Sequence, residues 1–535
     1  MNRSLRPLIS RENIHIFGII VLFFGMLFSR SFMTIGLGVI FLNWAVDPKI
    51  LIKLRSAFTN KVVLSFLGIM LLHFIGLLWT ENFGYAAKDI RIKIPLLLLP
   101  LIFSTTKPLS TEQWRFVFKF FIVIVLLATF RSMFVLYEEG LFKLGTTRKI
   151  AKVISHIRFA LYICIVIFVS IYMLVFRHKG DKYFIYWGIP VVIWLIVFLF
   201  ILKSLTGFVV LGTGMFIMAL YYVSLIRHYV FRFISYMFIL GFFMIAASFF
   251  IKSYAKFSYR VKPTSDMLLK YTESGNKYIH KLKKEYYENG NFVYANICTK
   301  ELRKEWNSVS DLDYDGKDNR GHLLKHTLIR YMTSIGLNKD SVGISKLTKK
   351  DIKAIENGFA NYLYTKKFSL YASLYKIFWE IDRYEKGSNP SGFSIVQRFY
   401  YMNAGLDIFK TAPVFGIGTG DVKDAFHNYY EETHSVLSKR WRLRTHNQYI
   451  TIMLTFGVVG FIIFLWGLFY PIIYKIRKRE LNFPALIVFG IVLLSMLNED
   501  TIETQAGALL VAFFYTFFVW GVEEQPIPSR RIDKT

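Results

Sequence analysis

Apolar residues in this chain come in long blocks, where a soluble helix would show them every third or fourth position. Blocks of roughly bilayer-crossing length, about 17–25 residues, lie near 15–30, 62–79, 115–137, 157–176, 183–202, 205–226 and 231–251. Three more lie near 447–473, 482–498 and 505–522. Two shorter blocks, 32–46 and 92–105, fall below a full crossing and bring the expected count to about twelve. Between 252 and 446 the blocks stop. Apolar positions there recur at helical spacing in "SDMLLKYTESGNKYIHKLKKEYYENG" and "LTKKDIKAIENGFANYLYTKKFSLYASLYKIFWEIDRYEK", with the loop-like "WNSVSDLDYDGKDNRGH" between them. The expected fold is all-α: a polytopic helical membrane protein of about 12 transmembrane helices. Residues 1–251 form an N-terminal bundle of about nine spans, 252–446 a large and mostly helical loop domain, and 447–535 a C-terminal bundle of about three spans with a short tail.

Composition and charge orient this picture. Hydrophobic residues make up 54% of the chain, with 53 Phe and 32 Tyr, which excludes an ordinary soluble domain. The turns "RHKGDK" and "YKIRKRE" concentrate Lys and Arg on one side, so the positive-inside rule puts both termini in the cytoplasm and the large loop outside. That loop carries 33 Lys and Arg against 21 Asp and Glu. Long domains translocate whatever their charge, so one reading is bland. The other is an anionic partner at the outer surface, such as a phospholipid or pyrophosphate headgroup. No nucleic-acid partner is expected. Residues 1–14 are basic, and the apolar run after them has no small-residue cleavage site, so it reads as a signal anchor. Cys164 and Cys298 lie far apart in this topology, and no structural disulfide is expected.

Local motifs narrow the chemistry mainly by exclusion. "DLDYDGKDNRGH" (311–322) opens like a calcium loop but has His322 where the bidentate Glu belongs, so an Asx-rich turn is the better reading. "PVFGIGTGD" (413–421) lacks the Gly-Lys-Ser/Thr of a phosphate loop and the strand-turn-helix frame of a dinucleotide site. It indicates a tight turn or a close approach. No Ser-His-Asp set or Cys/His metal spacing appears, and His427, His434 and His446 are too widely spaced for a local ligand set. Neither a metal nor a cofactor is expected. Arg131 and His73 lie inside spans, and Glu499, Asp500 and Glu503 in the last outer turn, where pairing or snorkelling accounts for them. The cluster from Lys439 to Arg444 fits an interfacial anchor. His446, opening the next span, is a poor anchor and a good proton acceptor near neutral pH.

Taken together, the outer-face residues form a longer pattern. Arg398 precedes an amphipathic stretch; Pro413, Gly416, Gly418, Gly420 and Asp421 follow; His446-Asn447 then opens a span, with Gly457 and Gly460 about ten residues on. This resembles the O-antigen ligase and O-antigen polymerase superfamily. "ELRKEWNSVS", "LIRYMTSIGLNKD", "IENGFANYLY", "RIKIPLLLLP", "HIRFALYI" and "NEDTIETQAG" fit one ligase-like branch of it, so the resemblance runs over most of the chain.

The resemblance implies a GT-C-like glycosyltransferase of the Gram-negative inner membrane, with the large loop in the periplasm. Its donor would be an undecaprenyl-pyrophosphate-linked glycan, and its acceptor a hydroxyl of lipid A-core. Another glycan, as in a polymerase, or a protein Ser/Thr, as in a protein O-oligosaccharyltransferase, is the alternative. From another class, the rival is a non-catalytic transporter of the lipid-linked glycan, although no inverted repeat is evident. The family's periplasmic arginine maps onto Arg398 and its histidine onto His446. Many members also carry a Ser-Arg pair at the start of a span. Here "LKSLTGFVVL" keeps Ser204 but has Leu205 in place of Arg, leaving Lys203 or Arg158 as the replacement cation. Arg444, Asn447, Gly416, Gly418, Gly420, Asp421 and Glu499 complete the residues expected to hold pyrophosphate or glycan.

Overall fold

The computed structural model describes residues 10–138, 154–224, 226–283, 285–366 and 369–523. The predicted cytoplasmic tails (residues 1–9 and 524–535) and most of the outer segment 138–156 lie outside the described residues. The described residues are 73% helical, and among them the one named sheet is a ribbon pairing β1 (Tyr287–Glu288) with β2 (Asn291–Phe292). The all-α expectation holds.

In chain order the first helices are α1 (Arg11–Phe28), α2 (Arg30–Ala45), α3 (Ile50–Thr59), α4 (Lys61–Ile75), α5 (Phe83–Lys93) and α6 (Pro95–Thr105). They are followed by α7 (Thr111–Glu138), α8 (His156–Val175), α9 (Phe184–Leu202), α10 (Leu205–Ser224) and α11 (Tyr229–Ser258). Polar helices come next: α12 (Thr299–Val309), α13 (Leu324–Ser334), α14 (Ser341–Ser345), α15 (Lys349–Glu356), α16 (Leu370–Glu385), α17 (Val396–Thr411) and α18 (Val422–Glu432). The last are α19 (Gln448–Lys478), α20 (Phe483–Asn498) and α21 (Gln505–Thr516).

Among the described residues, eight helices are long and apolar enough to cross a membrane, or nine if α2 and α3, bent by 101°, count as one span. The predicted short spans at 32–46 and 92–105 correspond to α2 and to the 11-residue α6, which starts at Pro95 and contains Pro100. The blocks at 482–498 and 505–522 are also shorter apolar helices. Among the described residues, the other expected spans are thus shorter apolar helices, one of them with a proline in its interior. Polar caps set the starts: Asn60, Ser155, Asn482 and Thr504 each accept a backbone N–H from the first turn of the helix that follows.

Packing divides the chain into two compact units. One holds the described residues of Met1–Glu138, Thr147–Arg232 and Asn389–Thr535; the other holds Phe233–Ser388. Residues 389–446 thus pack with the apolar helices. In the first unit α8 and α21 are the most enclosed, with Leu161–Val169 and Ala508–Phe514 all at 2% exposure or less. Phe23, Phe121, Phe513 and Phe514 interlock there at ring separations of 4.4 to 5.9 Å. Such ring contacts matter in a lipid setting, where close packing replaces the hydrophobic drive. Arg131 sets its guanidinium over the Phe28 ring.

The second unit has its own core of Leu302, Trp306, Tyr314, Leu324, Leu328 and Tyr331. Buried Glu288 is held by Arg330 at 2.7 Å and by Asn361 at 2.6 Å. Within 311–322, Asp315 and Asp318 are committed to protein partners. Asp318 accepts the backbone N–H groups of Arg320 and His322, and Asp315 pairs with Arg303 and Lys325. That is an Asx-type turn, as the sequence indicated.

One irregularity in the first unit positions the site. Gly457, inside α19, has φ 67° and ψ −169°, a conformation open essentially to glycine alone. The helix breaks there, and the loop 413–418 takes up the backbone groups the break releases. Val458 N donates to Pro413 O at 2.9 Å, and Ile417 N and Gly418 N donate to Leu454 O and Thr455 O at 3.0 Å each. Polar backbone deep in an apolar bundle needs such partners.

Candidate active site

The turn between α20 and α21, "NEDTIET" (498–504), carries three carboxylates, and each has separate partners. Glu499 lies 3.4 Å from Arg398 Nη2 and 3.7 Å from His446 Nδ1. Asp500 accepts from Thr445 Oγ1 at 2.8 Å, Thr451 Oγ1 at 2.7 Å and the backbone N–H of His446 at 3.2 Å. Glu503 meets Lys93 at 2.8 Å, Arg444 at 3.4 Å and Gln448 at 3.0 Å. Residues far apart in sequence meet here because α17, α19 and this turn share one unit.

His446 sits just before the N-cap of α19. Asn447 is that cap: its side chain accepts Ile450 N at 3.1 Å and donates to Leu497 O at 3.1 Å. His446 itself takes φ +51°, a left-handed conformation unusual for a residue with a Cβ. Its Nδ1 is buried without a hydrogen-bond partner, and the 3.7 Å to Glu499 Oε2 is ion-pair distance, too long for a hydrogen bond. Tyr401, one turn after Arg398 on α17, packs its ring 5.5 Å from the imidazole and donates its hydroxyl to Trp441 O at 2.7 Å. Burial pushes the Tyr401 phenol up to about 12, against the pull of Arg398, so it stays a neutral wall.

Arg398 Nη1 donates to Asn498 Oδ1, and Asn498 donates to Thr206 Oγ1 at 2.6 Å, which ties the start of α10 to the site. Burial raises the Glu499 carboxyl, but His446, Arg398 and Arg158 outweigh it and hold the group below the ordinary range. The sign of the linkage follows. Glu499 contributes stability above the unfolded value of about 4.3 and loses it as pH falls through its lower folded value. Glu499→Gln is therefore expected to flatten the acid limb of thermal stability, as read from unfolding temperatures between pH 6 and pH 3.

Of the remaining predicted residues, Arg158 faces the same corner, with its Nε buried and unpartnered and Nη1 3.4 Å from Ser155 Oγ. Ser204 caps α10 through Gly207 N, and Lys203 ends α9 in a left-handed turn at an exposed position. Arg444 joins a second cluster: its Nη1 reaches Tyr85 OH at 3.2 Å and Glu503. Burial lowers the Arg444 guanidinium, but Glu503 and Asp500 raise it further, while burial of Glu503 is outweighed by Lys93 and Arg444, which keep it ionised. Gly416, Gly418, Gly420 and Asp421 are not brought to His446 and Arg398. The glycines seat the loop against α19 and the end of α4, and Asp421 accepts the backbone N–H groups of Glu81 and Asn82. His73 is buried and bonded to Ile69 O. Among the described residues no group of three or more His, Cys, Asp or Glu stands ready for a metal ion.

Sequence reasoning missed Tyr401, Asn498, Thr206 and Lys93. Tyr401 had a signal, the one-turn spacing from Arg398. Lys93 had another, an Asp four residues earlier at the head of an apolar block. Asn498 and Thr206 had none.

Residues 358–465 match the family model described as O-Antigen ligase, a segment that holds Arg398, the glycine-rich loop, His446 and the first part of α19. No curated protein matches the chain. Through residues 358–465 the chain is similar to the O-antigen ligase family.

Proposed function

We propose that this membrane protein transfers a glycan from undecaprenyl pyrophosphate to a hydroxyl of lipid A-core at the periplasmic face of the inner membrane. The family match supports an O-antigen ligase- or polymerase-like function in general. The observation that carries the finer reading is the meeting of His446, Arg398 and Glu499 at one buried turn.

The chemistry follows from what those groups offer. The acceptor hydroxyl oxygen attacks the anomeric carbon, the bond from that carbon to the pyrophosphate oxygen breaks, and its electron pair leaves with the pyrophosphate. Charge grows on the leaving group, where a fixed guanidinium fork stabilises it most. Arg398 fills that role, and Arg158 adds a second cation on the same side. The hydroxyl proton needs an acceptor. With a proton on Nδ1, toward Glu499, His446 keeps Nε2 as the lone-pair nitrogen, and that atom takes the hydroxyl proton. Glu499, ionised under all ordinary conditions, then stabilises the imidazolium that forms.

Purified protein in lipid discs, given a polyprenyl-pyrophosphate glycan and lipid A-core, is expected to transfer the glycan with no other protein present. Absence of transfer would favour a transporter. Arg398→Ala is expected to lower kcat by about 10²–10³-fold. Arg398→Lys should recover only part of this, since an ammonium lacks the bidentate fork. Deleting the protein in cells then reports the acceptor. Loss of all long lipopolysaccharide chains indicates ligation to lipid A-core, a single-repeat cap indicates polymerisation, and an unchanged ladder indicates a different acceptor.

A further inference from the structure

We infer that Lys93, on α5, is a positioning residue for the His446 turn and acts through Glu503. The inference rests on the catalytic role given to His446 above, and it extends to a residue that touches no reacting atom.

Lys93 is 2% exposed, and its ammonium is fully committed. Nζ donates to Asp89 Oδ1 and Oδ2 at 2.7 and 2.6 Å and to Glu503 Oε2 at 2.8 Å. Glu503 is also buried, and it collects both flanks of the catalytic turn. Gln448, two residues after His446 and the first residue of α19, donates Nε2 to Glu503 Oε1 at 3.0 Å. Its own Oε1 accepts Ile502 N at 2.9 Å. Arg444, two residues before His446, reaches Glu503 Oε2 at 3.4 Å. The five-residue turn 444–448 is therefore clamped at both ends by one carboxylate. Lys93, from a distant helix, fixes that carboxylate from the other side.

Stability alone does not explain this arrangement. Buried ion pairs commonly do no better than apolar side chains of the same size, because desolvation cancels the attraction. What they supply is a defined geometry, and here that geometry belongs to a histidine held in a left-handed turn. A shift of about 1 Å in a catalytic group can cost on the order of 10²-fold in rate.

The test separates folding, positioning and activity. Lys93→Met alone leaves two buried carboxylates facing Arg444 and is expected to lower the unfolding temperature. Asp89→Asn combined with Lys93→Met removes one charge of each sign and is expected to restore it. In both variants we expect kcat to fall by about 10–100-fold with the donor KM within a few-fold of wild type. The second readout needs no activity: the rate at which diethyl pyrocarbonate modifies His446, followed by peptide mass spectrometry against exposed His434 as internal standard. That rate is expected to change several-fold in the double variant while His434 does not. A double variant that folds, labels His446 and transfers glycan at wild-type rates would overturn the inference. If wild type transfers no glycan, the proposed function fails, and the labelling comparison still decides whether Lys93 positions His446.

Discussion

Replacing His446 by Ala is expected to reduce kcat for glycan transfer by about 10²–10⁴-fold, with little change in unfolding temperature. The two halves of that expectation have separate causes. The imidazole is 30% exposed and its Nδ1 makes no hydrogen bond, so its removal leaves no new buried polar group unsatisfied. The backbone N–H that Asp500 holds is present whatever the side chain. Catalysis, in contrast, loses the candidate proton acceptor of the Arg398 corner, since the neighbouring Glu499 is held below the ordinary carboxylate range by His446, Arg398 and Arg158. Steady-state transfer by purified protein, with a thermal scan of the same samples, reads both halves. A variant that folds and transfers at the wild-type rate would remove His446 from the mechanism.

Gly457→Ala is expected to act in the opposite way, through the fold. The backbone there lies in a region essentially restricted to glycine, which costs other residues about 1–3 kcal/mol, and a Cβ would overlap the carbonyl of Val414. Relief of that overlap requires the loop 413–418 to lift from the break in α19, exposing N–H and C=O groups inside an apolar bundle. We expect a total loss of more than about 3 kcal/mol, seen as strongly reduced yield of folded protein in membranes. Gly490, whose Cβ would meet nothing within 4 Å, provides the control: Gly490→Ala should be tolerated.

The sequence was informative where a residue's role follows from its own chemistry. Long apolar blocks announced the helices, and a lone histidine opening such a block stood out because lipid-facing positions rarely hold one. Arg398 and His446 were singled out with the help of the resemblance, and Glu499 as an ionisable residue of the last outer turn; the structure puts Glu499 3.4 Å from Arg398 and 3.7 Å from His446. Span counting was weaker, because α2, α6, α20 and α21 are apolar yet shorter than a crossing. The glycine-rich loop was legible as a tight turn or close approach and no further. Glycine marks a close approach without naming what approaches, and here it is the backbone of α19 and the end of α4. Lys93 shows the hardest case, since its meaning depends on Glu503, a partner 410 residues away.

The break in α19 also changes how the site moves. The loop that runs on from α17 bridges the break: Ile417 N and Gly418 N donate to the carbonyls of Leu454 and Thr455 on the short half, and Pro413 O and Val414 O accept the N–H groups of Val458 and Val459 on the long half. Mechanically, α17, the loop 412–418 and both sides of the break in α19 are fastened as one body. Arg398 and His446 ride on that body together. Any motion that opens the bundle to a bulky lipid-borne substrate would carry both residues as a pair, with their mutual spacing kept. The 498–504 turn is tied to the same body through Asp500, Glu503 and Gln448, so it would travel with them and the gaps from Glu499 to both catalytic side chains would be kept as well.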